Sequence, residues 1–329
     1  MRVHRSLPVV IAVAALATFV AAPGGARPQD SVFRADARTV AVYVTVSDDA
    51  GKLVGDLTRD DFEVYDNGRR QTISLFDSGA QQITVVLMLD RSGSMYGNFN
   101  LVRAAAEAFV GQLRPGDKAR IGSFANRIQV DPRDFTGSQR DLIEILRTDL
   151  QEPGPTPLWN AVNVGITALQ HQNGRRVILV FTDGVDRPLN SHSVSFAEVV
   201  KNADEHDVMV FAIGLAGRSY YAGRGRGRGP SVGPMGGPGG IGQPPEFEKP
   251  DAGLPRIALA TGGGYFELTS ANNLSATFSA VANELHRQYA LGFTPLIFDG
   301  KSHRLEVRVR QPGLKARARK TYVARPDVL

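Results

Sequence analysis

Three short runs of apolar residues stand out in the middle of the chain. They cover residues 83–89, 176–182 and 208–213, and apolar side chains fill most of their positions. Such runs are typical of strands buried on both faces of a parallel sheet. Other segments have apolar residues at helical spacing and predict helices. These helices cover residues 99–113, 139–147, 158–171, 195–205, 254–261 and 274–285. Strands that alternate with helices predict an α/β fold built on a doubly wound, mostly parallel sheet.

The region before the first of these runs has a different pattern. In residues 39–46 every second residue is valine, which gives a strand one apolar face. Residues 62–65 and 72–76 flank Asp66-Asn67-Gly68, a sequence typical of a hairpin turn, because both central residues of a type I′ turn need positive φ. Residues 32–78 are therefore predicted to form a small, mostly β segment.

Alternation of apolar and polar residues returns at the end of the chain. Apolar and charged residues alternate over residues 305–310, Pro312-Gly313 turns the chain, and residues 316–323 form a return strand. Residues 288–329 are therefore predicted to contain a β hairpin. We expect it to pack with residues 32–78 as a flanking all-β unit, because an isolated hairpin is only marginally stable in water.

Residues 1–26 have the pattern of a secretory signal peptide. Arg2 and Arg5 precede an apolar stretch over residues 7–22, and the small residues that follow suit cleavage after Ala26. A retained membrane anchor is the alternative, although the apolar stretch is shorter than the roughly 20 residues of a comfortable span. We therefore expect an exported protein, periplasmic or secreted, with no transmembrane segment after signal cleavage.

Composition narrows the chemistry that the chain can support. The 329 residues include no cysteine, which excludes disulfides, zinc-thiolate sites, iron–sulfur clusters and a cysteine nucleophile. The histidines are scattered, and none lies four residues from another, so a local histidine zinc site is not expected. The formal net charge of +5 is small for this length and argues against a nucleic-acid partner.

Residues 217–250 interrupt the α/β pattern with glycine, proline and arginine and almost no aliphatic residues. A segment of this composition buries too little apolar surface to offset its ordering entropy, so it is predicted to be a disordered insertion. Gly-Arg repeats also occur in RNA-binding segments, but only Tyr220 and Tyr221 are present here to stack on bases. No nucleic-acid partner is predicted.

Oxygen-bearing side chains follow the ends of the predicted core strands. Asp90, Ser92 and Ser94 come directly after the first strand in the sequence Asp-Arg-Ser-Gly-Ser. Asp183 follows the second strand in Thr-Asp-Gly, and Thr156 lies in a loop before a helix. Ligands of open α/β sheets bind at the carboxyl ends of the strands, so these side chains lie where a site is expected. Hydroxyls and two carboxylates, without nitrogen or sulfur, form a donor set that suits Mg²⁺.

Other kinds of site fit the Asp90–Ser94 turn less well. An aspartyl-nucleophile phosphatase needs a second acid two residues after the first, where this chain has Ser92. The glycine patterns of dinucleotide and P-loop sites and the G-x-S-x-G pattern of hydrolases are absent from this turn. Capping of the next helix by Asp90 and the serines is an alternative that needs no ligand.

The same residues resemble a known family. Asp90-Arg91-Ser92-Gly93-Ser94-Met95 matches the D-x-S-G-S motif of the metal-ion-dependent adhesion site (MIDAS) of von Willebrand factor type A domains. Pro155-Thr156-Pro157-Leu158 resembles the threonine loop of that family, and Phe181-Thr182-Asp183-Gly184 resembles the segment with its last aspartate. The resemblance implies a Rossmann-like domain over residues 80–287. The flanking segments, such as residues 57–65, resemble von Willebrand type A-related proteins of acidobacteria.

The resemblance implies binding rather than turnover. Ser92, Ser94 and Thr156 would supply hydroxyl ligands to Mg²⁺ or Mn²⁺, and Asp90 and Asp183 would hold the ion directly or through water. One position would stay open for an Asp or Glu carboxylate of a protein partner. The chain is therefore expected to be a non-enzymatic, adhesion-type module. Two alternatives stay open, a metal-dependent hydrolase on the same sheet and a structural envelope protein with a vestigial ion site.

Overall fold

The structure of the protein is a computed structural model, and it describes most of the chain. The described residues are 39–148, 150, 153–187, 193–218 and 247–326. The predicted signal peptide and most of the predicted insertion lie outside the described residues. Within the described ranges, no helix combines the length and the apolar character needed to cross a membrane.

The described residues form sixteen strands and six α-helices. The strands are β1 Val40–Ser47, β2 Phe62–Asp66, β3 Arg69–Gln71, β4 Leu75–Asp77, β5 Ile83–Asp90, β6 Lys118–Phe124, β7 Ile128–Thr136, β8 Arg175–Thr182, β9 Val208–Leu215, β10 Gly217–Arg218, β11 Phe247–Glu248, β12 Tyr265–Leu268, β13 Tyr289–Phe293, β14 Ser302–Val309, β15 Lys315–Arg317 and β16 Thr321–Val323. The helices are α1 Phe99–Val110, α2 Gln139–Thr148, α3 Leu158–Leu169, α4 Phe196–Glu205, α5 Gly253–Thr261 and α6 Leu274–Leu285.

Six of the strands form the central sheet in the order β12-β9-β8-β5-β6-β7. All neighbouring pairs in it are parallel except β6 and β7, which are antiparallel. Every residue of β5 and β9 is buried, as expected for strands that are covered on both faces. The predicted α/β fold with a doubly wound, mostly parallel sheet is therefore confirmed.

Helices cover both faces of the central sheet. On one face, α1, α2 and α6 pack into a core that contains Leu87 and Phe181. On the other face, α3, α4 and α5 pack into a core that contains Val86 and Ile178. Neighbouring residues of β5 enter different cores, because successive side chains of a strand point to opposite faces of the sheet.

Local sequence explains where two of these helices begin and end. Ser195 Oγ accepts a hydrogen bond from the backbone nitrogen of Glu198 at 3.3 Å, and the Glu198 carboxylate accepts one from the Ser195 backbone nitrogen at 2.9 Å. This reciprocal pair is a capping box, and it starts α4. At the end of α5, Gly262 has a φ of 82°, a conformation that glycine adopts without a steric penalty.

Two four-stranded antiparallel sheets flank the α/β region. Their orders are β15-β1-β13-β4 and β16-β14-β2-β3. Each of these sheets therefore combines strands that precede the α/β region with strands that follow it. The two sheets enclose a third core, which includes Val42, Phe62, Tyr289 and Tyr322.

The first hairpin differs from its prediction in the position of its second strand. Asn67 and Gly68 have φ values of 46° and 81°, as a type I′ turn requires. The strand that pairs with β2 is β3, however, so the predicted pairing of residues 72–76 across this turn is wrong. Because the turn has only two residues, the residues directly after it, 69–71, pair with β2. Residues 75–77 then pair with β13 in the other flanking sheet.

The return strand near the end of the chain is divided. The sequence predicts one strand over residues 316–323, whereas in the structure β15 pairs with β1 and β16 pairs with β14. Between them, the backbone nitrogen of Lys320 donates to the backbone oxygen of Ala260 at the end of α5, at 3.0 Å. The return strand is interrupted at Lys320 because the backbone there bonds to the end of α5 and not to a neighbouring strand. The described part of residues 288–329 is therefore not the simple hairpin that was predicted.

Candidate functional site

Two of the candidate site residues lie at the ends of neighbouring strands. Asp90 is the last residue of β5, and Asp183 directly follows β8. These strands are parallel, with Leu89 paired to Phe181. Their carboxyl ends therefore meet at one edge of the central sheet, which is the edge where ligands bind in open α/β folds.

Ser92, Ser94 and Asp183 are linked by hydrogen bonds at this edge. The Oγ atoms of the two serines lie 3.0 Å apart, and Ser94 Oγ donates to Asp183 Oδ1 at 2.8 Å. Ser92 and Asp183 are buried, with 2% and 4% of their surface exposed, whereas Ser94 is exposed. The fold thus joins residues that are 89 positions apart in the chain, and Ser94 is the one that faces solvent.

Asp90 lies beneath this group and is fully buried. The backbone nitrogen of Ser92 donates to Asp90 Oδ1 at 2.7 Å, and Thr182 Oγ1 donates to Asp90 Oδ2 at 2.5 Å. Thr182 was not among the residues predicted from the sequence. Its position next to Asp183 is the only local signal, because the direction of its side chain depends on how β8 packs against β5.

Thr156 reaches the site through a loop that is tied to the Asp90–Ser94 turn. The backbone nitrogen of Gly93 donates to Gly154 oxygen at 3.0 Å, and that of Gly154 donates to Arg91 oxygen at 3.3 Å. A Cβ atom built on Gly184 would lie 3.6 Å from Thr156 Oγ1. The Thr156 hydroxyl therefore adjoins the residue that follows Asp183, so the fold brings all five predicted positions to one edge.

Two further acidic residues hold the loop that carries Asp183. Asp251 Oδ2 accepts from the backbone nitrogen of Asp186 at 3.1 Å, and the Asp251 backbone nitrogen donates to Gly184 oxygen at 3.3 Å. Asp186 Oδ1 in turn accepts from the backbone nitrogen of Trp159 at 3.2 Å. The sequence analysis missed this support, because Asp251 follows the glycine-rich insertion and no local pattern connects it to Asp183.

The charges of the site suit a cation. Burial raises the pKa of Asp90 to about 7, and the negative charge of Asp183 adds to the shift, while hydrogen bonds from Thr182 and Ser92 oppose it. A divalent cation between the two carboxylates would remove their repulsion. In the described part of the chain, no group of three or more His, Cys, Asp or Glu side chains could hold a metal ion. An ion here would therefore depend on hydroxyl and water oxygens beside the two carboxylates, a donor set that fits Mg²⁺.

The raised pKa of Asp90 predicts how the stability of the metal-free protein depends on pH. The folded-state pKa of about 7 lies above the value of about 3.9 for an unfolded aspartate, so folding favours the protonated form. The contribution of Asp90 to the free energy of unfolding is therefore greatest below about pH 4. It falls by up to about 1.4 kcal/mol per pH unit as the pH rises to 7. Urea unfolding in EDTA at a series of pH values measures this slope.

The matched control for that experiment is Asp90→Asn, which has nearly the same shape and keeps one of the two oxygen acceptors but carries no charge. Subtracting its unfolding free energy from that of the wild type at each pH cancels the titration of all other groups. The difference is expected to fall as the pH rises from 4 to 7, because only the wild type loses stability over this range. A constant difference would contradict the raised pKa of Asp90.

The fold and the geometry of the site define a doubly wound α/β protein with serine, threonine and aspartate oxygens at the ligand-binding edge of its sheet. Residues 84–226 match the family model of the von Willebrand factor type A domain. The family resemblance predicted from the sequence motifs is therefore confirmed over these residues. The narrower likeness to acidobacterial proteins stays a prediction. A comparison with curated proteins gave no match.

Solved structures with a similar fold come from several organisms. An aerotolerance-related membrane protein from Bacteroides fragilis is 19% identical over 62% of this chain and 98% of that chain, with a TM-score of 0.45. A von Willebrand factor type A protein from Catenulispora acidiphila is 12% identical over 86% of this chain and 74% of that chain, with a TM-score of 0.47. The corresponding domain of the type V pili tip protein Mfa5 from Porphyromonas gingivalis is 11% identical over 63% of this chain and 95% of that chain, with a TM-score of 0.43.

Proposed function

We propose that the protein is an exported, non-enzymatic binding module that captures an Asp or Glu side chain of a protein partner through a bound Mg²⁺ or Mn²⁺ ion. The observation that supports this most is the hydrogen-bonded group of Ser92, Ser94 and Asp183 at the open edge of the sheet, with Asp90 directly beneath it. The signal-peptide pattern of residues 1–26 supports export.

Each residue of the site has a distinct part in this proposal. Ser92, Ser94 and Thr156 would hold the ion through their hydroxyls, and Asp90 and Asp183 would hold it directly or through water. When bound, the ion is a hard cation that can exchange a water ligand for a carboxylate oxygen. Because Asp90 is fully buried and Ser94 is exposed, the partner would approach from the side of Ser94.

Arg91 contributes a positive charge beside the metal site. Its guanidinium carbon lies 3.5 Å from the centre of the Phe99 ring, a cation–π contact that restricts the side chain near the start of α1. A restrained guanidinium group loses less conformational entropy when it meets an anion. Arg91 would therefore strengthen the attraction of an acidic partner.

The polar contacts of the site favour binding over hydrolysis. A serine nucleophile needs a neighbouring base, which is a histidine in most such sites. Here Ser94 donates to Asp183, and the Oγ atom of Ser92 lies against that of Ser94. Among the described residues, His286 pairs with Asp117 at the start of β6, at the opposite edge of the sheet. The contacts therefore support a ligand cluster for an ion more than a catalytic dyad.

The proposal predicts capture that requires both a metal ion and a carboxylate. The test uses immobilised peptides of varied sequence that each carry one Asp or Glu, with the same peptides carrying Asn or Gln as matched controls. In Mg²⁺, wild-type protein is expected to bind some acidic peptides at least about tenfold more tightly than their amide controls. EDTA is expected to abolish this difference, because the carboxylate then has no ion to bind.

Two outcomes would contradict the proposal. Retention that is equal on acidic and amide peptides would show that no carboxylate is captured. Acid-dependent retention that persists in EDTA would show that the captured carboxylate binds without the ion, for example through Arg91. If Arg91 causes the retention in EDTA, the variant Arg91→Gln is expected to lose that retention.

A further inference from the structure

A second candidate site lies at the opposite edge of the central sheet. A cavity of about 730 Å³ opens there between the starts of β8 and β9, the end of α4, and strands β1 and β16. The whole length of β8 separates it from Asp183, which is roughly 25 Å at 3.3 Å per residue. We name it the arginine cavity, because Arg176, Arg319 and Arg325 surround Asp207 in its wall.

Two arginines in the wall of this cavity share one carboxylate, that of Asp207. Asp207 Oδ2 accepts a hydrogen bond from Arg176 Nη2 at 3.5 Å, and Asp207 Oδ1 accepts one from Arg319 Nη1. Arg325 lies in the same wall, and its Nη2 donates to the backbone oxygen of Glu205. Three guanidinium groups and one carboxylate leave this cluster with a net charge of +3 − 1 = +2.

The other charged side chains in the wall do not change this surplus. Asp204 accepts hydrogen bonds from two hydroxyls, including Thr321 Oγ1 at 2.9 Å, and its negative charge offsets the positive charge of Arg175, which lines the same wall. Arg175 is positive and donates to Gln288 Oε1. The charge of Arg175 is therefore directed toward β13, and the surplus of the arginine cavity belongs to the cluster around Asp207.

The guanidinium groups of Arg176 and Arg319 are only partly accessible in the wall of the arginine cavity. The Nε atoms of Arg176 and Arg319 are buried and have no hydrogen-bond partner among the described residues. The two side chains are only 16% and 14% exposed. Because these Nε atoms have almost no accessible surface, an anion in the cavity would contact the Nη groups of the two side chains. The planar guanidinium group matches the paired oxygens of carboxylates and phosphates.

We propose that the arginine cavity binds a small organic anion through a carboxylate or phosphate group. Its volume is in the range of small-molecule sites in proteins. Val200, Phe298 and Tyr322 line the same cavity and offer apolar contacts for the carbon skeleton of such a ligand. The site uses none of the residues assigned to the metal ion, so it binds its ligand independently of that ion.

Isothermal titration calorimetry in EDTA tests the proposal on the purified protein. The probes are inorganic phosphate, glucose 6-phosphate and succinate, and glucose and succinamide are the neutral controls. At least one anion is expected to bind with a Kd below about 1 mM, while the neutral controls do not bind. A response to both phosphate probes but not to succinate assigns the site to phosphates, and the reverse assigns it to carboxylates.

Variants of the cavity are expected to change the affinity in opposite directions. Arg176→Gln removes one guanidinium group and is expected to weaken the anion by at least about tenfold. Asp207→Asn removes the competing carboxylate and is expected to tighten binding by several-fold. Asparagine tolerates the φ of 50° at this position, so the backbone should be preserved. Arg140→Gln, in an exposed side chain on α2, is expected to bind like the wild type.

Arg325→Gln provides a second weakening variant if Arg176→Gln proves unstable, because Arg325 is exposed. The proposal is overturned if none of the three anions binds with saturation. It is also overturned if Arg140→Gln weakens binding as much as the variants of the cavity, since that would indicate general attraction of anions to a positive protein. Loss of binding in Asp207→Asn with a native melting temperature would equally contradict the charge argument.

Discussion

Asp183→Ala is expected to abolish the stabilisation of this protein by Mg²⁺. The Asp183 carboxylate accepts the hydrogen bond of Ser94 and lies next to buried Asp90, so it would supply half of the negative charge at the ion. Loss of one of two carboxylates is expected to weaken Mg²⁺ or Mn²⁺ binding by about 100-fold or more, which equals about 2.7 kcal/mol. Titration calorimetry with each ion measures this loss directly.

Melting temperatures separate loss of the ion from loss of the fold. Mg²⁺ at 100 times its Kd would stabilise the wild type by about 2.7 kcal/mol, whereas the variant would gain almost nothing. In EDTA, the two proteins are expected to melt at similar temperatures. The variant loses a partly exposed hydrogen bond from Ser94, but it also loses the repulsion between Asp183 and Asp90.

Two controls complete this experiment. Asp183→Asn keeps an acceptor for Ser94 without the charge, so it should resemble the alanine variant in calorimetry if the charge holds the ion. Asp141→Ala changes an exposed acid on α2 and should bind the ion like the wild type. If wild type and Asp183→Ala respond identically to Mg²⁺, Mn²⁺ and EDTA, the five residues do not form a metal site.

Gly263→Ala is expected to destabilise the fold by about 4 kcal/mol or more, enough to unfold much of a marginally stable domain. A Cβ atom at this position would lie 2.0 Å from the backbone oxygen of Val210 and 2.6 Å from its carbonyl carbon. Val210 belongs to β9, which is buried throughout and bonded to strands on both sides, so its backbone has no room to move. Chemical unfolding, or the yield of folded protein, measures the effect.

Gly55→Ala is the matched control for this prediction. A Cβ atom at Gly55 would meet no atom within 4 Å, and its φ is not in the left-handed region, so the change in stability should stay within about 0.5 kcal/mol. A Gly263→Ala variant that unfolds at the same denaturant concentration as Gly55→Ala would show that the chain around β9 can shift, contrary to the packing described above.

The five candidate ligands could be found from the sequence because each lies beside a feature that is itself local. Asp90 and Asp183 directly follow apolar runs, and the family motifs mark Ser92, Ser94 and Thr156. The residues that support them leave no such mark. Thr182 donates to Asp90 across two strands, and Asp251 holds the Asp183 loop from a distant part of the chain. Contacts of this kind depend on which elements become neighbours, which a local pattern does not contain.

The same distinction applies to glycine. The Gly262-Gly263-Gly264 run predicts only a turn. In the structure, Gly262 has positive φ and a Cβ there would lie 2.4 Å from the backbone nitrogen of Arg319, while Gly263 meets β9. The requirement for glycine at these positions therefore comes from the chain segments packed against them. The sequence shows that a turn is possible, and the tertiary contacts decide that no side chain fits.

The sequence by itself predicted the main strands and helices of the α/β region, and the strand ends that carry the candidate oxygen ligands. Period-two and period-3.6 patterns encode burial within a single element, and such patterns are complete within a few residues. Only the tertiary structure decided that β3 and not residues 72–76 pairs with β2, and that the return strand divides between two sheets. It also decided that Arg176 and Arg319 meet at Asp207. These outcomes depend on pairings between distant segments, where several partners satisfy the same local pattern and long-range packing selects one of them.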